Sequence, residues 1–478
     1  MAEVLGGKTH GVAPGVRLIA LANKLETPVG EIDMHPDQLL ELHQKNVQIV
    51  NLSLGAGEVY KYQHILYDYL PAYKTAVDND MLLVWATGND GNKNKHPTVL
   101  AGMPANAPEL QKGWLAVTAA DVSSDGLSVT RPSYANPCSM AQNWCLAAPG
   151  TMTSKITGLT SDGTSFAAPA VTGAAALVKQ AHPWMNGDML RQTILSTATD
   201  LGDPDQFGWG MLNVEKAIKG PALFSTQLIM DKTNPRSVTT IVGLGQDSDF
   251  SNNIIGNAGL IKKGSGMLTL SGTNIYEGDT HIHEGTLNIT RWSRSQMHVE
   301  NQGTLRSGDG SIASTVNGIH NKGIVQVANT GLQVTDDYTA SANATLETQM
   351  HAPFNIGGKA ELGGSKLVVT PKAGHDTFAF LPTLQGVSTK ILEAEKGVSG
   401  TFSDMNFKNN NGKLVQSGDE IFINKQLNYN PNDVTLAVTR NDMAIVAAQN
   451  FAQDATRINA AENLEQVMRV ADHLVDTG

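Results

Sequence analysis

The chain has 478 residues, of which 41% are hydrophobic and 17% charged, and its formal net charge is −11. This length can form two or three folded units. The negative charge and the lack of any lysine or arginine run argue against nucleic acid as a partner and favour a protein. No segment approaches about 18 uninterrupted apolar residues, and the N-terminus lacks the basic and then apolar pattern of a signal peptide.

Apolar strands alternate with helical stretches in the first half of the chain. The sequence predicts strands at 17–22, 48–54, 81–86 and 114–120, and helices at 37–45, 60–78, from Ser165, and within 182–201. Asn186 or Asp188 is expected near the cap of the last helix. This alternation predicts an α/β fold, a mostly parallel sheet with helices on both faces, whose cleft lies at the carboxyl ends of the strands.

Two cysteines, Cys138 and Cys145, lie on a predicted loop with six residues between them. A pair that closes a short loop favours a disulfide formed in an oxidising compartment, with two free buried thiols as the alternative. No histidine lies near these cysteines in the sequence, which argues against a zinc site there. We predict no metal site from the sequence.

The string T-S-D-G-T-S-F-A-A-P, residues 160–169, leads into a helix of small residues. Ser165 falls in its first turn, where unpaired N–H groups and a partial positive charge favour an alkoxide or oxyanion. Pro169 is close enough to the start to remove few helical bonds. An ordinary buried helix capped by Thr164 or Ser165 is the alternative, but the complete string favours a nucleophilic serine.

Asn89 follows an apolar strand in the string L-L-V-W-A-T-G-N-D-G, residues 82–91. An amide donor aimed at a developing oxyanion stabilises it strongly in a water-poor site. A plain β-turn is the alternative for an Asn beside glycines. Because the same chain carries the serine string, we predict a functional Asn89.

These motifs resemble those of the subtilisin-like serine proteases. Segments that resemble family landmarks occur in the family's order, at residues 11–21, 46–55, 82–91, 160–169 and 207–214. The resemblance implies peptide-bond hydrolysis through an acyl-enzyme, with Ser165 as the nucleophile and Asn89 together with the Ser165 N–H as the oxyanion hole. It implies no cofactor.

The same resemblance implies where substrate binds and which catalytic groups are missing. The cleft walls that bind substrate are mostly backbone, at Ser53, Leu54, Gly55 and Gly88. A triad also needs a histidine and an aspartate, which precede the serine in this family. Residues 1–7 resemble the tail of the family's histidine helix, so both partners are expected upstream of Met1.

Two residues within the chain are weaker candidates for the missing partners. His10 lies in a stretch that matches the next family element, and Asp33 follows it in a predicted loop. Without an upstream base, the chain is expected to be inactive or nearly so.

Beyond Pro221 the helical periodicity disappears and a repeat of short strands begins. A small residue stands two positions before an aliphatic one at Gly266, Gly285, Gly303, Gly323, Ala344 and Ser365, with spacings of 19, 18, 20, 21 and 21. A period of about 20 residues predicts a parallel β-helix, in which each turn buries its apolar side chains against its neighbours. A β-sandwich is the alternative.

Residues 259–289 and 430–441 resemble the passenger domains of autotransporters. The resemblance implies a protease domain at 1–222, a linker at 223–245, a β-helix at 246–440 and a helical junction at 441–478. This junction would lead to an outer-membrane barrel beyond the printed sequence.

By the same resemblance, the protein is a monomer on the surface of a Gram-negative bacterium, or is secreted from it. It would act on protein or peptide substrates. Two other interpretations stay open: a non-catalytic adhesin with a relic protease domain, or a β-helix that serves only as a spacer.

Overall fold

The computed structural model describes residues 1–21, 36–55, 63–123, 125–126, 128–308, 310–370, 386–408, 413–414 and 423–477. The chain divides into two compact units. The first comprises Met1–Leu260 and Tyr276–Gly278, and the second comprises Ile261–Ile275 and Asp279–Gly478. Residues 223–260 therefore belong to the first unit, and the domain limits drawn from the sequence stay predictions.

The first unit combines helices with a small sheet. Its helices are α1 Ala2–Gly6, α2 Pro36–Gln44, α3 Gln63–Asp78, α4 Thr164–Ala181, α5 Gly187–Thr197, α6 Pro204–Phe207 and α7 Val214–Ala217. Its strands are β1 Ile49–Leu52, β2 Leu82–Ala86, β3 Trp114–Val122, β4 Val129–Thr130, β5 Cys145–Pro149, β6 Thr151–Thr153, β7 Thr160–Asp162, β8 Ser237–Ile241 and β9 Ser248–Phe250. Asn186 caps α5, accepting a hydrogen bond from the Met189 N–H at 3.0 Å.

The strands β1, β2, β3 and β5 pair in parallel in that order, and β4 is antiparallel to β3. Every residue of β2 is buried, as expected for a strand covered on both faces. The rings of Trp85 and Trp114 stack at 5.1 Å, and Tyr73 of α3 packs edge-on against both. The helix α4 packs on the same sheet, against β1, β2, β3 and β5. The predicted α/β fold with a mostly parallel sheet is confirmed.

The strand predicted at 17–22 is wrong for the residues that the structure describes. Residues 17–21 form no strand, and Leu18 is 45% exposed. Ile19 and Leu21 do pack against the core of the sheet. The alternation of apolar residues here reflects packing against the core by a segment that pairs with no described strand. The sequence pattern alone does not distinguish such a segment from a true β-strand.

A disulfide joins Cys138 and Cys145, the pair for which the sequence favours one. Both side chains are buried, at the start of a 3₁₀ turn, Ser139–Trp144, and at the start of β5.

Because the loop is short, the disulfide removes a modest part of the unfolded chain's entropy, and the C138A/C145A double variant is expected to lose about 2–3 kcal/mol of stability. Guanidinium unfolding of the oxidised chain and of the variant tests this. Reduced wild type should match the variant, and an unchanged midpoint would contradict the expectation.

The strands after β9 build a solenoid. They are β10 Gly259–Lys263, β11 Met267–Leu270, β12 Thr280–Ile289, β13 Trp292–Ser293, β14 Met297–Ser307, β15 Ser314–Val316, β16 Ile319–Asn321, β17 Ile324–Val327, β18 Leu332–Val334, β19 Tyr338–Ala340, β20 Thr345–Gln349, β21 Phe354–Ile356, β22 Ala360–Glu361, β23 Lys366–Thr370, β24 Val387–Ala394, β25 Val398–Ser399, β26 Asp404–Phe407, β27 Ile423–Tyr429 and β28 Asp433–Arg440.

Parallel ladders run along this solenoid, and one of them carries the predicted repeat. The small residue that opens each of the six repeats is followed by a residue that pairs, in parallel register, with its equivalent on the next turn. These residues are, in order along the ladder, Met267, Thr286, Thr304, Ile324, Thr345 and Lys366. The next residue of each triplet is at most 1% exposed, and these are Leu268, Leu287, Leu305, Val325, Leu346 and Leu367. The predicted parallel β-helix is confirmed, because each turn buries its aliphatic residue against the turns beside it.

The solenoid ends in an antiparallel group and two helices. The strand β28 pairs antiparallel with β24 and β27. It is followed by α8 Met443–Asn450 and α9 Ala455–Thr477. Among the helices of the described residues, none has both the length and the apolar character needed to cross a bilayer.

A buried ion pair joins the last strand to the last helix. Arg440 donates to both carboxylate oxygens of Glu465, at 2.6 and 3.1 Å, and also to Asp472. Glu465 in addition accepts the Met443 N–H at 2.9 Å. Burial works to raise the pKa of Glu465, but the hydrogen bonds from Arg440 and Met443 outweigh it and hold that pKa below its usual range. The Glu465 carboxylate is therefore ionised and depends on Arg440.

Replacing Arg440 with alanine is expected to cost about 3–5 kcal/mol in the packing of α9, because Glu465 and Asp472 both lose the buried guanidinium that they bind. Amide hydrogen exchange along α9 measures this cost as lost protection. Arg469→Ala is the matched control: its side chain is 58% exposed and contacts Asp442 and Glu465 from the surface, so its removal should cost less than about 1 kcal/mol. Equal protection in the two variants would contradict the expectation.

Candidate active site

Ser165 occupies the second position of α4, and its side chain is half-buried at the helix entrance. Its Oγ donates to the Ser53 carbonyl oxygen at 3.4 Å. Ser53 follows β1 directly, so the helix entrance lies at the carboxyl end of that strand. The structure thus places the predicted serine in the cleft that the sheet topology predicts.

Asn89 lies just beyond β2, and Thr164 fixes the orientation of its amide. Both the backbone N–H and the hydroxyl of Thr164 donate to Asn89 Oδ1 at 2.9 Å. The Gly88 N–H in turn donates to Thr164 Oγ1 at 3.2 Å. Because Thr164 holds the oxygen end of the amide, the donating Nδ2 end points away from Thr164 and is left for another acceptor.

Two hydrogen-bond donors lie near one point beside Gly163. A Cβ atom placed on Gly163 would lie 3.4 Å from Asn89 Nδ2, 3.7 Å from Asn89 Oδ1 and 3.8 Å from the Ser165 backbone N. The Ser165 N–H belongs to the first turn of α4 and has no acceptor within the helix. An amide nitrogen and a backbone nitrogen are therefore within 4 Å of the same point, at the positive end of a helix dipole.

A hydrogen-bond network ties the end of β1 to α4. Pro169 has no N–H, so it cannot donate to the Ser165 carbonyl one helical turn earlier. That carbonyl instead accepts the Ser53 hydroxyl at 2.9 Å. Asn51 Nδ2 donates to the same Ser53 hydroxyl at 2.9 Å, and Asn51 Oδ1 accepts the Thr172 hydroxyl at 3.2 Å. Because Pro169 leaves the Ser165 carbonyl without a helical partner, this carbonyl can accept the Ser53 hydroxyl. The hydrogen bond holds Ser165 against the cleft wall.

No local motif marks the side chains of Asn51, Ser53 and Thr172 for this role. One signal was present: Asn51 interrupts the apolar strand I-V-N-L, and a polar residue in a buried strand needs a partner. Its partner lies 121 residues later in the chain, which no local pattern shows.

Thr98 lies between the two predicted backbone walls of the cleft. A Cβ on Gly55 would lie 2.8 Å from Thr98 Oγ1, and a Cβ on Gly88 would lie 2.7 Å from Thr98 Cγ2. Gly88 also has a φ of 111°, a conformation that favours glycine. Thr98 is 6% exposed and was not predicted. The walls at Ser53, Leu54, Gly55 and Gly88 therefore close around one threonine.

Tyr134 lies behind Gly163 and is neutral. Its hydroxyl lies 2.6 Å from the point that a Cβ on Gly150 would occupy, and the Gly150 carbonyl accepts the Gly163 N–H at 2.9 Å. Burial raises the pKa of Tyr134 to about 12. The phenol therefore adds no charge near the serine at neutral pH.

The structure does not bring the weaker base candidates to Ser165. His10 is exposed, and its Nδ1 contacts the Thr9 hydroxyl at 2.7 Å. Asp33 lies outside the described residues. Across the part of the chain that the structure describes, no imidazole forms a hydrogen bond with Ser165 Oγ.

A serine at a helix N-terminus, with two donors beside it and a parallel sheet beneath, defines the class of acyl-transferring serine hydrolases. The family model described as "Subtilase family" matches residues 2–210. The chain is 30% identical to subtilisin DY of Bacillus licheniformis over 217 residues, which cover 43% of this chain and 70% of that protein. The chain belongs to the subtilase family.

The similarity to other proteins continues into the solenoid. A passenger-associated-transport-repeat model matches residues 260–289. The chain is 30% identical to the Neisserial autotransporter lipoprotein NalP of Neisseria meningitidis, over 76% of this chain and 38% of that protein. It is 27% identical to an extracellular serine protease of Serratia marcescens, over 97% of this chain and 48% of that protein. The chain thus spans less than half the length of these two relatives.

Proposed function

We propose that this protein is a serine endopeptidase of the autotransporter type, which hydrolyses peptide bonds in proteins. The observation that carries the proposal is that Asn89 Nδ2 and the Ser165 backbone N lie within 4 Å of one point beside Gly163, while Thr164 holds the oxygen end of the Asn89 amide. A carbonyl oxygen that becomes negative at this point would gain two hydrogen bonds. No such arrangement is needed for an ordinary capped helix.

In the proposed reaction, Ser165 Oγ attacks the scissile carbonyl carbon while a base takes its proton. The carbonyl oxygen becomes an oxyanion between Asn89 Nδ2 and the Ser165 N–H. The intermediate then expels the amine, which takes the proton from the base, and leaves an acyl-serine. Water repeats the sequence and releases the acid. The base is an imidazole that lies outside the described residues.

The backbone at Ser53, Leu54 and Gly55 and at Gly88 is proposed to bind an extended substrate peptide. These segments follow the carboxyl ends of β1 and β2, beside the serine. The buried Thr98 side chain packs against Gly55 and Gly88, so the cleft there presents chiefly backbone groups. This construction recognises a peptide chiefly through its main chain.

The names of the relatives support a location outside the cell. One is an autotransporter lipoprotein and another an extracellular protease. We propose that this protein acts as a monomer at the surface of a Gram-negative bacterium, or after release, with its passenger attached to the outer membrane. The net charge of −11 supports protein substrates rather than nucleic acid.

Digestion of an unfolded protein substrate such as reduced casein tests the activity. With imidazole supplied in solution as the base, we expect fragments with internal cleavage sites at both ends, identified by mass spectrometry, and their loss after treatment with a sulfonyl fluoride. Fragments restricted to terminal residues would contradict endopeptidase activity. No fragments, even when imidazole is supplied as a base, would favour the second candidate, a non-catalytic surface passenger. The absence of an imidazole contact at Ser165 among the described residues is the observation that keeps this candidate open.

A further inference from the structure

Three histidines form a row on the outside of the solenoid, within the second unit. His281 pairs in register with His298, and His298 pairs with His320 on the next turn. Their rings stack, with centroids 4.5 Å apart for the first pair and 5.1 Å for the second. The row ends at Thr339, whose hydroxyl contacts His320 Nδ1 at 2.7 Å.

The fold forces these side chains together on the outer face. Side chains alternate between the two faces of a strand, and the neighbours of His281, Thr280 and Ile282, are fully buried. In-register parallel pairing then stacks equivalent outward side chains at the strand spacing of about 4.8 Å. Asp279 lies two residues before His281 and therefore on the same face.

One end of the row has the geometry of a metal site. Asp279, His281 and His298 each offer a ligand atom, and these atoms lie within 4.8 Å of one another. His298 Nε2 lies 3.3 Å from Asp279 Oδ2. Two ligands of a tetrahedral zinc ion, with bonds of about 2.0–2.1 Å, are separated by roughly 3.3 Å. One edge of such a site is therefore already formed.

We propose that Asp279, His281 and His298 bind a divalent first-row transition metal ion, with zinc as the reference ion. Two imidazoles and one carboxylate suit this class of ion, whereas Ca²⁺ and Mg²⁺ prefer a set of oxygen ligands. The Asp279 side chain is 55% exposed and that of His298 25%, so solvent can complete the coordination. The ion would join two successive turns of the solenoid. This site is separate from the proposed peptidase chemistry and does not depend on it.

Isothermal titration of the chelator-treated full chain with Zn²⁺ tests the proposal. We expect one ion per chain, and affinity at least about tenfold weaker in the D279N, H281N and H298N variants. H320N is the matched control, because His320 belongs to the same row but lies one turn beyond the three ligands, and it should bind like wild type. Absence of saturable binding would overturn the proposal, and so would an equal loss in H320N.

A second measurement guards against variants that bind poorly because they are misfolded. Without metal, all four variants should unfold at the wild-type temperature, since the substituted side chains lie outside the core. With excess Zn²⁺, wild type and H320N should unfold at a higher temperature, and D279N should not, because a ligand stabilises only the state that it binds. Visible absorption of the Co²⁺ form should show intense tetrahedral d–d bands. Stabilisation of D279N equal to that of wild type would refute the assignment.

Discussion

Replacing Ser165 with alanine is expected to abolish peptide hydrolysis, because the variant loses the hydroxyl proposed to form the acyl-enzyme. Where a base is present, removal of this nucleophile lowers kcat on the order of 10⁶-fold, a figure taken from subtilisin itself. Hydrolysis of a fluorogenic peptide, with imidazole supplied in solution, measures the loss. The variant should keep its fold, since a half-buried hydroxyl is removed without opening a large cavity.

Ser161→Ala is the matched control for this variant. Ser161 lies in β7, four residues before the nucleophile, and its side chain is exposed. The S161A variant should hydrolyse the peptide at the wild-type rate. If Ser165→Ala left the rate unchanged, the activity would come from another group or a contaminant, and Ser165 would not be the nucleophile.

Replacing Asn89 with alanine is expected to lower kcat by about 10²–10³, the loss measured for the equivalent donor in subtilisin. The reason is geometric: Thr164 holds the amide oxygen, so Nδ2 is the end available to the proposed oxyanion. KM should change little, because this hydrogen bond strengthens only as the negative charge develops. Steady-state kinetics with one peptide substrate separates the two constants.

Asn92→Ala provides the control for Asn89. Asn92 is an exposed residue of the same turn, and its loss should leave kcat unaltered. An increase of KM without a change of kcat in N89A would show that Asn89 binds the ground state, and the oxyanion role would be withdrawn.

The sequence alone singles out Ser165 and Asn89 as candidate site residues because both occur in long local strings. The G-T-S-F-A-A-P string and the G-N-D turn each follow an element whose pattern is strong, so their neighbourhood can be inferred. The hydrogen bonds that hold these two residues in place cannot be inferred from the local sequence. Thr164 and Asn89 are 75 residues apart, and Asn51 and Thr172 are 121 apart. Such pairs arise only when the parallel sheet brings strand ends together.

The repeat of the solenoid was visible because its apolar triplets recur at spacings of 18 to 21 residues. The histidine row was not visible in the sequence, although it lies on the same turns of the solenoid. His281, His298 and His320 are separated by 17 and 22 residues, because the segments between ladders differ in length from turn to turn. Alignment of outward side chains depends on register, and register is set by the buried residues that stack inside.

The strand predicted at 17–22 shows a case in which a clear sequence pattern led to a wrong assignment of secondary structure. Ile19 and Leu21 are apolar because they pack on the core, yet the described residues there pair with no strand. An alternating pattern reports which side chains are covered and does not report what covers them.

We propose Ser165 as the nucleophile, with Asn89 Nδ2 and its own N–H as oxyanion donors and an imidazole as its base. The rate of fluorophosphonate labelling, followed by mass spectrometry as a function of imidazole concentration, tests this most directly. We predict that labelling rises with imidazole, that the adduct maps to Ser165, and that S165A shows none. Labelling that never reaches Ser165 at any imidazole concentration would contradict the account.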